Sequence, residues 1–423
     1  MMTGDMQTAA SCADDHDPMS LTVQDALARI LANVSPVCEP HPVPVADALG
    51  RILAADIVSK MDVPAHTNSA MDGYALAGAD IPAQGTRELE VIGTAYAGRP
   101  YESAVARGQC VRIMTGAPLP PGTDTVAMQE RVERRGDRII RLDGRLRAGD
   151  NVRHAGEDIR KGQVVLAAGR RLMPADIGLI ASLGIPEVAV HRPLRVAIFS
   201  TGDELKPVGE RLGPGDVHDS NRYTLRGMLQ RLGAQIKDVG IVRDTPEQTR
   251  AAFEAAAEGQ DAIISSGGVS VGEADFVKSV LNELGHAEFW KVAMKPGRPL
   301  TFGRVRGAVF FGLPGNPVSV MVTFYQFVQP ALRRMMGETQ TAGLRLKATS
   351  LSRLKKRPGR VEFQRGVLEQ DDSGALLVRK TGMQGSGILT SMSQANCFIV
   401  LPQDCAGVEA GEPVEVQPFA GLI

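Results

Sequence analysis

From Leu21 the apolar residues fall at a helical period. Val23, Ala26, Leu27, Ile30 and Leu31 share one face, Thr22 stands at an N-cap position and Asp25 in the first turn, which predicts an opening helix. Between Pro64 and Arg141 the period shortens to two. Runs such as Leu89–Ile92 and Cys110–Met114, broken by Gly and Pro, predict a β-rich module. Asp150–Gln163 is a polar, charged connection, and Pro174–Leu183 predicts a short helix stopped by Gly184. After Pro193, apolar runs at Arg195–Ser200, Ile236–Val242 and Asp261–Ser265 alternate with helical periods near Tyr223–Leu232, Pro246–Glu258 and Asp275–Leu284. That rhythm predicts a parallel sheet covered on both faces. Leu300–Phe302 and Ala308–Phe311 follow as further apolar runs, and Pro317–Met336 is apolar nearly all round, a buried helix. Past Gly337 short alternating segments (Arg360–Phe363, Leu376–Val378, Cys397–Leu401, Pro413–Val416) predict a small all-β domain.

The expected division is therefore a disordered tail at 1–19 and a connecting domain made of 20–60 with 153–190. A β-rich domain at 61–152, an α/β substrate-binding domain at 191–340 and a C-terminal β domain at 341–423 complete it.

Composition narrows the function. In 423 residues, 47 Lys and Arg oppose 48 Asp and Glu, so no net-basic face offers itself to a nucleic-acid backbone, and 4% aromatics leave few base-stacking surfaces. No apolar run approaches the roughly 20 residues that cross a bilayer, and the acidic start (Asp5, Asp14, Asp15, Asp17) is unlike a secretory leader. Five cysteines, none at CxxC spacing, argue for buried thiols in a reducing cytoplasm. The P-loop, the HExxH zinc motif and a GxGxxG turn after a strand are all missing.

The chemistry sits in the loops that follow the α/β strands. Open parallel sheets bind ligands beyond their carboxyl ends. Ser200–Leu205, Asp219–Asn221, Asp244, Ser265–Asp275, Lys291–Pro299 and Leu313–Ser319 all belong to that edge. In the third loop, Gly267 and Gly268 free the backbone for an anion nest, with Ser265, Ser266 and Ser270 as extra donors. Asn316 before Pro317 predicts an N-cap on the same rim, and Lys291, Lys295 and Arg298 bring positive charge for phosphate or another oxyanion. Glu204, Asp244 and Asp275, with Asp158, are carboxylates placed to share Mg²⁺ with a phosphate ester. Asn68–Tyr74 and Met114–Pro118 in the β-rich module have no packing rationale and suit a second rim.

Several of these segments together identify a family. Asn68–Ala75, Met114–Pro118, Gly156–Ile159, Ser200–Leu205, Ser266–Asp275, Lys291–Pro299 and Leu313–Ser319 resemble, in that order, the molybdopterin molybdenumtransferases, known as bacterial MoeA and as the E domain of gephyrin-type proteins. The resemblance implies an elongated multidomain fold with a MogA-like α/β domain and a small C-terminal β-barrel-like domain. It implies the last step of molybdenum cofactor synthesis in the cytoplasm: molybdate enters adenylylated molybdopterin, and the pyrophosphate link is cleaved to release AMP with Mg²⁺ (or Zn²⁺).

By the same resemblance, Asp72, Thr115, Asp158, Glu204, Asp244 and Asp275 are the catalytic set, with Glu204, Asp244 and Asp275 on the metal. Arg153, Ser266, Gly267, Gly268, Ser270, Lys291, Lys295, Arg298, Pro314, Asn316, Pro317 and Ser319 bind substrate. The segments Arg360–Arg365 and Gln384–Ser391 also resemble family motifs and would add contacts to molybdate. The family works as a homodimer whose site joins the α/β domain of one chain to the β-rich domain of the other. The upstream molybdopterin adenylyltransferase and acceptor molybdoenzymes are the implied partners. One departure is visible, Thr67, where the family usually has Asp before Asn-Ser-Ala-Met-Asp-Gly. Two other readings share the same loops: a metal-dependent phosphate-ester hydrolase, and an interaction scaffold of gephyrin type.

Overall fold

The computed structural model describes residues 19–37, 39–267, 274–341 and 343–419. The expected tail, and Gly268 and Ser270 of the third loop, lie outside them.

The opening helix is Val23–Ala32. The Thr22 hydroxyl accepts the Asp25 N–H at 3.0 Å, the capping bond the sequence calls for. Its buried face (Val23, Ala26, Ile30) joins the core of the α/β domain. The connecting unit is held by Pro40–Pro44 pairing antiparallel with Glu187–His191, around Leu53, Leu172, Ile180 and Val190.

The β-rich unit is a six-stranded mixed sheet. Gly73–Leu76, second from one edge, lies between Thr125–Met128 and Gln109–Ile113. Alternation sends Tyr74 and Leu76 to one core and Ala75 to another.

The α/β domain carries a second six-stranded sheet. Its strands are β1 (Arg195–Thr201), β2 (Gln235–Val242), β3 (Ala262–Ser266), β4 (Gly285–Lys291), β5 (Pro299–Val305) and β6 (Ala308–Leu313), in the order β2-β1-β3-β6-β5-β4. The first four neighbours are parallel, while β5 runs antiparallel to both β6 and β4. The sheet is mainly parallel, as expected, with a returning pair at one edge. Helices α1 (Ser220–Leu232), α2 (Pro246–Ala257) and α3 (Ala274–Leu284) connect the strands. The expected buried helix runs Pro317–Thr323, loosens into a π turn at Phe324–Val328, and ends as Gln329–Met335. Ile198, Ile264, Phe311 and Leu332 fill one face of the sheet. On the other, Phe253 packs edge-on between Phe199 and Phe310 with centroids 5.2 Å apart.

The C-terminal strands Val361–Gln370, Leu376–Lys380, Leu346–Ser350, Pro413–Pro418 and Cys397–Leu401 pair in a ring that closes back on the first, a five-stranded barrel. Phe363 and Phe398 leave this barrel for the α/β core, and Phe398 meets Tyr325 and Phe419 at 5.8 and 4.6 Å. Met294–Lys295 of the α/β domain also pairs parallel with Val361–Glu362 of the barrel. The two domains therefore share one core and one backbone ladder. Among the described residues no helix is long and apolar enough to cross a membrane.

Candidate active site

Strand register places the polar loops on one edge. Val242 stands beside Thr201, Ser200 beside Ser266, and Ser266 beside Leu313. Because β5 reverses and β4 reverses again, Lys291 at the end of β4 comes level with Pro299 at the same edge. The rim is long, roughly 24 Å from first strand to sixth at the usual strand spacing.

Its middle is tied tightly. Asp219, buried, caps α1 by accepting the Arg222 N–H and also takes the Ser200 hydroxyl at 3.0 Å. Asn221, in the first turn of α1, donates through Nδ2 to Ser266 Oγ at 2.8 Å and to the Gly315 carbonyl at 2.7 Å. Ser266 in turn donates to the Pro314 carbonyl at 3.4 Å, and the Gly267 N–H to Leu313 O at 3.1 Å. Gly267 has φ +91°, and a Cβ there would stand 2.4 Å from the Thr201 carbonyl oxygen, so both conformation and space require glycine.

The acidic side follows β1 and β2. Glu204 folds back over Gly202, its carboxylate filling the space a Cβ would need. The Asp244 N–H donates to Asp203 Oδ1 at 3.3 Å and the Arg243 guanidinium to the Asp203 carbonyl at 3.1 Å, so these two loops adjoin. Carboxylate oxygens are the donors a hard cation such as Mg²⁺ takes. Among the described residues no group of three such ligands is assembled. Asp275 opens α3 but its side chain lies outside what is described.

The cationic side lies where the barrel meets the α/β domain. A cavity of about 650 Å³ is lined by Lys295, Lys355, Glu362, Arg365, Lys380 and the Gln384–Gly385 turn. Arg365 is 1% exposed, and among the described residues no hydrogen bond or ion pair ties it to a carboxylate: it donates to Ser391 Oγ at 3.0 Å and the Gly385 carbonyl at 3.1 Å. Burial pushes its pKa down to about 10, against the pull of Glu362. Lys295 Nζ pairs with Glu362 at 2.9 Å, and Gln364 holds the other Glu362 oxygen at 2.9 Å. Four cations facing one carboxylate, one of the cations nearly dry, make a cavity short of negative charge.

A third cluster forms in the β-rich unit. Asp72 Oδ1 accepts both the N–H and the hydroxyl of Thr115, each at 2.7 Å, and these two bonds hold its carboxyl below the usual range. The Gly116 N–H reaches Ser69 O at 2.8 Å, and Arg153 pairs in register with Asn68. Thr67 keeps a use despite its lost charge, because its hydroxyl accepts the Ala155 N–H at 3.3 Å. The Asp158 N–H bonds Val63 O at 3.0 Å, and both Asp158 and Arg153 are exposed. The first two motifs of the N-terminal half thus meet, while Gly156–Ile159 bonds Val63 and Pro64 just upstream of them.

Residues 21–184 match the MoeA N-terminal region (domain I and II), 197–334 a probable molybdopterin binding domain, and 347–419 the MoeA C-terminal region (domain IV). A molybdopterin molybdenumtransferase of Haemophilus influenzae is 43% identical over 404 residues, covering 95% of this chain and 100% of that protein. The chain belongs to the MoeA family. The crystal structure of a MoeA protein from Pyrococcus horikoshii OT3 superposes with a TM-score of 0.82 at 31% identity, over 95% of this chain and all of that one. Gephyrin of Dictyostelium discoideum is 34% identical over 89% of this chain but only 59% of its own length.

Within this MoeA fold the anticipated residues occupy three places. Glu204, Asp244, Ser266, Gly267, Lys291, Pro314, Asn316 and Pro317 lie along the sheet edge, with Asp275 at the start of α3. Lys295 turns to the barrel, while Arg298 and Ser319 are buried. Asp72 and Thr115 form a separate cluster, with Arg153 on the strand paired to Asn68, while Asp158 lies further along beside Val63. One expectation is corrected: Asn316 occupies the N-cap position, but its side chain makes no capping bond. The Val318 N–H is taken instead by the Ser386 carbonyl at 3.0 Å, so a barrel loop seals that helix end. Lys355 and Lys380 were not anticipated, since only the fold of the barrel turns them toward Lys295. The buried Cys110 and Cys397, each pushed up to about 12 by burial, are protonated thiols and not nucleophiles.

Proposed function

We propose that this chain completes molybdenum cofactor synthesis. Adenylylated molybdopterin binds along the sheet edge, molybdate enters the dithiolene, and the pyrophosphate link is cleaved to release AMP. The observation that carries this reading is the cavity around Arg365. A buried guanidinium without an ion-pair partner, beside Lys295, Lys355 and Lys380, is an incomplete charge arrangement that a tetrahedral dianion completes. It adjoins the Gly385–Ser386 turn that caps the helix after Pro317, so an oxyanion there lies next to the phosphate-binding edge.

The Ser266–Gly267 turn opens the loop that would carry the phosphate; its own hydroxyl and N–H are bonded to the Pro314 and Leu313 carbonyls, and Asn221 holds it against the Gly315 loop. Mg²⁺ (or, less suited to an all-carboxylate set, Zn²⁺) would be held by Glu204, Asp244 and Asp275 and would neutralise the phosphoanhydride. Lys291 and Arg298 carry positive charge at the same edge. The Asp72–Thr115 cluster, with Arg153 and Asp158, would complete the site from a second copy of the chain. That explains why these polar residues are exposed and held in place without packing a core.

Purified protein incubated with adenylylated molybdopterin, molybdate and Mg²⁺ should yield AMP and active cofactor in step. AMP formed at the same rate without molybdate, and no cofactor, would instead indicate a phosphate-ester hydrolase and overturn the reading.

A further inference from the structure

Among the described residues, two polar atoms at the sheet edge are enclosed and unpaired: Thr201 Oγ1 at the end of β1 and Asn221 Oδ1 in the first turn of α1. Thr201 is 7% exposed. They flank the same turn. Asn221 donates to Ser266 Oγ, while a Cβ on Gly267 would stand 3.0 Å from Thr201 Oγ1. The orientation of the Asn221 amide is settled by its neighbours, because the end facing the Gly315 carbonyl must be the nitrogen. The free end is therefore an acceptor.

Such an atom has given up water without replacement, which folded proteins rarely leave unanswered. Phosphate and molybdate oxygens cannot answer it, since two acceptors repel. The complement of Asn221 Oδ1 is an N–H or O–H group, and the Thr201 hydroxyl can serve that group as acceptor or donor.

We propose that Thr201 Oγ1 and Asn221 Oδ1 form a subsite reading a hydrogen-bond donor on the organic part of the substrate, apart from the cavity that takes its oxyanion. The proposal rests on the function proposed above. An adenylylated pterin offers such donors in two places, the nucleotide's hydroxyl and amino groups and the pterin's amino group. In both cases the site discriminates by stranding its own acceptor when the donor is missing, a strong form of selection.

The test uses Thr201→Val and Asn221→Ala in the full chain, titrated separately with AMP, molybdopterin and molybdate. Thr201→Val exchanges a hydroxyl without a partner for a methyl of the same shape, so its melting temperature should stay level or rise. Its Kd for one organic ligand should nevertheless rise about tenfold. Asn221→Ala should weaken the same ligand and also lower kcat, since it releases the Ser266 and Gly315 loops. Loss confined to AMP assigns the donor to the nucleotide, and loss confined to molybdopterin assigns it to the pterin. Molybdate affinity should be unchanged in both variants. Wild-type Kd values for both organic ligands, or a loss of molybdate affinity instead, would overturn the subsite while leaving the proposed reaction standing. A wild-type protein that bound neither organic ligand would bring down the reaction itself, and the subsite with it.

Discussion

Arg365 shows most directly what one residue contributes. Its guanidinium is held by Ser391 Oγ and the Gly385 carbonyl, groups that orient it but do not neutralise it. Replacement by Met keeps the volume and removes an ill-compensated charge, so the fold should lose no stability and can gain some. Oxyanion binding should weaken by more than tenfold. Calorimetric titration with molybdate alongside a thermal melt checks both, and an unchanged molybdate Kd would remove Arg365 from the site. Asp72 is a second residue-scale case. Its carboxyl sits below the usual range because Thr115 donates two bonds to the charged form. The stabilisation is therefore complete above the ordinary carboxylate pKa of about 3.9 and is lost only as pH falls through the lower folded value. From pH 5 to 8 the Asp72–Thr115 turn should be constant. A carboxyl carbon titration by NMR that placed Asp72 at or above the ordinary value would contradict the pairing.

At the scale of elements, the turn after β3 is fixed by the Thr201 carbonyl pressing where a side chain would grow from Gly267. Gly267→Ala combines that clash with a strained φ, on the order of 1–3 kcal/mol at one turn. Turnover should collapse while the β-rich unit keeps its own melting behaviour, which hydrogen exchange resolves segment by segment. Equal protection at Ser266 and Gly312 in variant and wild type, with full activity, would refute the requirement. This turn was legible in the sequence only with its neighbours, because a serine–glycine stretch alone reads as a tight turn and gains meaning from the other polar loops at the same end of the sheet. The helix capped by Thr22 and the strands β1, β2 and β3, whose periodicity is local, were legible alone. The strand β4 was not: Gly285, His286, Glu288 and Lys291 face solvent on a sheet edge, and only Ala287 is buried, so no alternation reaches the sequence. The capping of Val318 by Ser386 and the pairing of Lys295 with Glu362, 67 residues apart, are contacts between domains, and no local pattern encodes them.

At the scale of the molecule, the chain builds two separate polar clusters by different means. The sheet edge and the cationic cavity are one body, because Phe398 packs edge-on against the stacked Tyr325 and Phe419 rings and because Met294–Lys295 extends the barrel ladder. The connecting unit is pinned to that body by Arg192, bonded to both Asp261 and Glu39, and by Glu338, gripped by Arg171 and Arg333. Burial alone would raise the Glu338 pKa, yet the two arginines bring it below the ordinary value, so this junction holds above about pH 4.3 and loosens only in acid. Among the described residues no hydrogen bond or ion pair links the Asp72–Thr115 cluster to the sheet edge within one chain. If each working site takes its sheet edge from one copy and Asp72 from another, two inactive variants can repair each other. Asp72→Ala and Arg365→Met, co-expressed with different tags and purified through both, should form mixed dimers holding one intact and one doubly defective site. Such dimers should recover about half the wild-type turnover, and an unsorted equal mixture about a quarter, by the statistics of a symmetric dimer. Zero recovery in dimers proven to carry both tags would place both groups on one chain's own site, and the exposed Asp72 cluster would then need another explanation.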